Sequence, residues 1–151
     1  MLPLRLLVML FLVCAGASAA ARAAATDIET VGRDDARRKP LLEAARKSVE
    51  KDLGQPIRFV VVELRVRENW AFAHLRPQTP DGRPIDLTKT RYADPYEAGF
   101  LDGDDIYALL RAHGSTWKLT TFVLGPTDVA WAAWPEEYGA PAELLGVENT
   151  H

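Results

Sequence analysis

Two runs of alternating residues, each folding back on a short turn, constrain this chain more than any other feature. Ile57–Arg67 is rich in β-branched residues and, as a strand, sets Val60, Val62, Leu64 and Val66 on one face. Glu68-Asn69 reads as a two-residue turn in which Asn supplies the positive φ. The return run then matches Val66 with Ala71, Leu64 with Ala73 and Val62 with Leu75, all apolar. The opposite face carries Arg67 beside Trp70, Arg65 beside Phe72 and Glu63 beside His74. A slip of one residue destroys this agreement, so the register is specified. A second hairpin turns at Gly114-Ser115. It pairs Ala112 with Trp117, Leu110 with Leu119, Ala108 with Thr121 and Ile106 with Val123; Arg111–Lys118, Leu109–Thr120 and Tyr107–Phe122 lie on its other face.

One amphipathic helix precedes the hairpins. Leu41, Ala45, Val49 and Leu53 recur every four residues, the charged residues face away, and Gly54 stops the helix. It starts either from an Asp34 or Asp35 cap, with Pro40 inside it, or at Pro40 itself. Residues 77–105 form a long Pro/Gly/Asp-rich loop that has room for a short element near Tyr92–Phe100, with Asp94-Pro95 as a break. After Gly125-Pro126, Trp131, Trp134 and Tyr138 fall at near-helical spacing, and Asp128 suits the start of that helix. The expected fold is α+β: one N-terminal amphipathic helix packed on a curved antiparallel sheet of about four strands, with a short C-terminal helical segment.

The amino terminus sets the compartment. Arg5, the apolar run Leu6–Val13 and the small residues ending Ala17-Ser18-Ala19 read as a secretory signal peptide over residues 1–19, cleaved between Ala19 and Ala25. Residues 20–33 lack an apolar period and read as a flexible leader, leaving 34–151 as one domain. Lipidation at Cys14 competes with cleavage but is opposed by the bulky Val13; a retained anchor is the other alternative. Cys14 is the only cysteine, so the processed protein has neither disulfide nor thiol nucleophile. Arginine and alanine usage fits a GC-rich bacterial genome, hence a periplasmic or secreted protein with no membrane span once the signal is removed. Removing Arg5 and Arg22 from the 18 basic residues leaves 16 against 21 acidic ones, a net charge of −5. Nucleic acid is therefore not an expected partner.

The helix-then-strands order over Asp34–Leu124 resembles the cystatin-like and NTF2-like folds. The stretch Gly-Pro-Thr-Asp-Val-Ala-Trp (Gly125–Trp131), with Trp70–Phe72, is similar to small exported bacterial proteins without an assigned activity. That resemblance implies no catalytic residues, and a cystatin-type Gln-x-Val-x-Gly loop is absent.

Chemistry is sparse. Ser48 and Ser115 sit outside any nucleophile elbow, no glycine loop cradles phosphate, and His74, His113 and His151 lack ligand spacing. No cofactor or metal is expected. Asp102-Gly103-Asp104-Asp105 reads as a solvated turn into a strand rather than a calcium loop. Glu63 beside His74 is the best acid–base pair, with an exposed cross-strand pair as the plainer alternative. Arg65, Arg67, Trp70, Phe72 and His74, with Arg76, form a candidate binding surface, unless these residues merely stack on one another or the long loop or the C-terminal segment covers them. Tyr107, Arg111, Lys118 and Phe122 would extend that surface. Trp131, Trp134 and Tyr138 either line a ligand pocket, with Asp128 as its polar group, or dock the C-terminal segment onto the domain. The expectation is an exported small domain that binds an envelope protein or an extracellular ligand. The alternative is a cofactor-independent enzyme using a Glu/His or Asp base in an NTF2-like pocket.

Overall fold

The computed structural model describes residues 27–147. The expected signal peptide and its expected cleavage region, with Cys14 and His151, lie outside these residues. The chain runs β1 (Glu29–Thr30), α1 (Arg38–Leu53), β2 (Arg58–Arg67), β3 (Trp70–Gln78), α2 (Ala93–Glu97), β4 (Ile106–His113), β5 (Thr116–Leu124), α3 (Trp134–Tyr138) and α4 (Ala142–Leu145). Short 3₁₀ turns stand at Leu87–Lys89 and Ala130–Ala133. The fold is α+β, and its antiparallel sheet has five strands in the order β1-β2-β3-β4-β5. The first strand was not expected. Glu29 and Thr30 pair with Val66 and Arg65, so part of the stretch read as a leader instead adds to the sheet.

Near their turns both hairpins keep the expected register, and away from them both shift by one residue. Val66↔Ala71, Leu64↔Ala73 and Glu63↔His74 pair as the alternation demands. A bulge at Val62 then sets Val61, not Val62, opposite Leu75. Phe59 and Val61 turn toward the helix, while Val60 and Val62 are 40% and 51% exposed. In the second hairpin the shift falls between Leu109 and Leu110, so Ala108 pairs with Phe122 and Ile106 with Leu124. Phe122 therefore packs on the helix side and does not extend the outer face. Each bulge exchanges a smaller inward residue for a larger one, Phe59 for Val60 and Phe122 for Thr121. The added apolar burial offsets the unpaired residue.

α1 lies against one face of the sheet. Leu41, Ala45, Val49 and Leu53 pack with Leu64, Val66, Ala71, Ala73, Leu75, Ile106, Ala108, Leu110 and Leu124 in one core. Pro40 occupies the third helical position, where the missing N–H belongs to the free first turn anyway, so it neither kinks nor starts the helix. The N-cap position falls on Arg37, which makes no side-chain cap bond; just before it the Asp35 carboxylate accepts the Arg37 backbone N–H at 2.8 Å and holds the Arg37 guanidinium at 2.7 Å. At the far end Gly54 takes φ 70°, and the Glu50 carboxylate accepts the Ile57 N–H, joining α1 to the start of β2. Asp94-Pro95, expected as a break, lies within α2, where Pro95 is again in the first turn.

Candidate functional site

The outer face of the sheet carries the residues singled out from the sequence, and the C-terminal segment covers half of it. Trp70, Phe72 and Leu109 form a second core with Trp134, Ala140, Leu144 and Leu145. The Trp131 Nε1–H donates to the Leu145 carbonyl at 3.2 Å, and Arg67 pairs with Glu143 at 3.1 Å. Trp70, Phe72 and Trp134 are buried, so the protein's own chain occupies this aromatic platform. Arg65 lies over the Phe72 ring and Arg111 over Trp70, at 5.2 and 4.8 Å from the ring centroids. Trp131 joins the segment to the sheet, whereas Asp128 is exposed and caps nothing with its side chain. None of the three surface depressions described below is lined by Trp131, Trp134 or Asp128.

At the edge of the segment, three aromatic rings stack in a row. His74 lies 4.4 Å from Tyr107, and Tyr107 lies 3.9 Å from Trp131, both pairs within about 21° of parallel. Glu63 and His74 face each other in register, but their side chains do not pair. Glu63 lies 3.2 Å from Arg65 Nε, an angle too poor for a hydrogen bond, which leaves that buried nitrogen unsatisfied. His74 Nε2 lies 2.7 Å from Asp105 Oδ2, and Arg76 Nε donates to Asp105 Oδ1 at 2.8 Å. The Arg76 guanidinium, and then the His74 hydrogen bond, hold the Asp105 carboxyl below its usual range against a partial burial penalty. An ionised carboxylate only accepts, so the proton of this bond resides on His74 Nε2.

In the sequence Asp105 reads as part of a solvated turn, and nothing local there marks its bonds to His74 and Arg76. Its loop is held by two backbone bonds, Asp102 N–H to the Gly125 carbonyl and Gly125 N–H to the Asp105 carbonyl. Burial and the adjacent Asp105 charge push the Asp104 carboxyl up. Because Leu75 pairs with Ile106, the residue before β4 arrives beside Arg76. The β3–β4 pairing was the missing signal.

On the helix side a second polar cluster ties the long loop down. Asp52, on the last turn of α1, accepts from Arg91 at 2.8 Å and from the Tyr92 hydroxyl. Burial, then the Asp52 hydrogen bond, raise the Tyr92 phenol well above its ordinary value. Three surface depressions lined by described residues measure about 640, 280 and 220 Å³. The largest lies between the end of α1 and the 79–89 loop, beside Leu53, Gln55, Thr79, Arg83 and Lys89. None of the three is lined by Glu63, His74 or Asp128. No described helix is long and apolar enough to cross a membrane. Comparison with protein-family models, with curated proteins and with solved structures finds no match to this chain.

Proposed function

We propose that this protein is a small exported bacterial domain that works in the periplasm or the medium by binding, without turnover, an envelope protein or an extracellular ligand. The helix-plus-sheet order fits a cystatin-like or NTF2-like scaffold, on which strands hold a surface rigidly. One observation carries the reading. The half of the outer face left open by the C-terminal segment presents Arg76, 51% exposed, locked by Asp105 beside the His74 ring. Ordered charge next to an aromatic stack on adjacent strands provides orientation at low entropic cost, as recognition surfaces require. A general-base role for His74 draws support from its fixed tautomer. Against that role, the ring is sandwiched against Tyr107 and adjoins none of the three depressions.

The test is a photoreactive amino acid placed at Arg76 in the full chain, expressed in its host with its own leader. The expected result is one discrete adduct to another envelope component, missing when the same group replaces Tyr138. Absence of an adduct at position 76, or identical adducts at both positions, overturns the reading.

A further inference from the structure

We infer that two copies of this chain associate through the open edge of β2, pairing antiparallel about Val60. β1 and Val31 cover the edge only at Leu64–Val66. Among the described residues nothing but β3 pairs with the backbone of Phe59–Val62. An uncovered edge strand is a template for another strand, and proteins blunt such edges with lysine, proline or a bulge. The opposite edge, β5, carries the exposed Lys118 and its own bulge. The stretch Phe59-Val60-Val61 carries no charge and no proline, and its bulge comes only at the end, at Val62.

The charges at the ends of this stretch choose the occupant. Arg58 stands exposed before it, its guanidinium bonded to the neutral Gln78 and lying over Gly82, and Glu63 stands after it beside Arg65 with its side chain 43% exposed. An antiparallel strand that complements cation–apolar–carboxylate must itself read cation–apolar–carboxylate, and β2 has that sequence. With Val60 facing its own copy across the two-fold axis, Phe59 meets Val61 and Arg58 meets the Val62–Glu63 bulge of the second chain. Parallel pairing would set like charges together. The contact is isologous and closes on itself. It also places two open outer-face patches side by side. Because an edge contact is small, the association is expected to be weak, with Kd on the order of 10–100 µM.

Sedimentation velocity on the full chain, expressed with its own leader, over a hundredfold concentration range tests this. The expected result is a rise in mass from one chain toward two. Val60→Lys, which alters an exposed side chain, should abolish the rise while leaving the unfolding midpoint in place. Arg58→Glu should weaken association at least tenfold, and adding Glu63→Arg should restore it, because the reversed charges again complement each other. A single-chain mass at every concentration overturns the inference. So does a dimer indifferent to Val60→Lys, or a double variant no stronger than Arg58→Glu. An adduct from position 76 to another protein, with no self-association, would overturn this inference and leave the binding role intact.

Discussion

His74 bonds to Asp105, 2.7 Å away, and not to Glu63, its neighbour in register across β2 and β3. The choice follows from competition for partners. Glu63 lies beside Arg65, whereas Asp105 enters from the loop before β4 already held by Arg76.

Asp105→Asn should destabilise the fold by about 1 kcal/mol, a modest figure because Arg76 is half exposed and screened. Glu63→Gln should change little. Since the folded carboxyl titrates below its unfolded value, its contribution is complete above about pH 4 and is lost as pH falls through the folded value. Urea unfolding at neutral pH and at low pH checks both points: the gap between parent and Asp105→Asn should close in acid.

The C-terminal segment should behave as part of the core. Leu144 is fully buried against the second face, so Leu144→Ala should cost about 2–4 kcal/mol in a denaturant titration. Truncation after Gly125 should expose Trp70, Phe72 and Leu109, abolish cooperative unfolding and bind an apolar dye. A truncated chain that still melts cooperatively would assign the segment to ligand or partner binding instead.

Gly125 is required by contact as well as conformation. Its φ is 58°, and a Cβ there would stand 2.5 Å from the Gly103 carbonyl oxygen, a backbone atom that cannot swing aside. Gly125→Ala should therefore cost about 2–4 kcal/mol and loosen the loop that delivers Asp105. Thermal unfolding measures the first effect, and amide exchange at Asp102 the second.

Tyr92 should ionise last among the four tyrosines. Its folded value lies above the unfolded one, so its contribution to stability is complete below about pH 10 and fades as pH rises through the folded value. In an absorbance titration of tyrosinate, Tyr92→Phe should remove the latest component, and it should cost about 1 kcal/mol at neutral pH.

Legibility followed the range of the forces involved. The α1 stripe, its stop at Gly54 and the pairs nearest each turn depend on neighbours a few residues away, and they stand in the structure as the sequence implied. The turn Glu68-Asn69 was found, but the positive φ falls on Glu68 and not on Asn69. Phe59–Val62 is apolar throughout, so a period of two cannot say which half faces inward. The helix surface decided, by accepting Phe59 and Val61.

By itself the sequence determined an α+β chain with one amphipathic helix and two hairpins, because periodicity and turn chemistry act locally. Only the tertiary structure decided that β1 joins the sheet, that Trp134 and Leu144 cover part of its outer face, and that Asp105 reaches His74 and Arg76. These contacts join residues tens of positions apart. Their formation depends on which strand lies beside which and on how bulges shift the faces, and neither leaves a periodic trace in the chain.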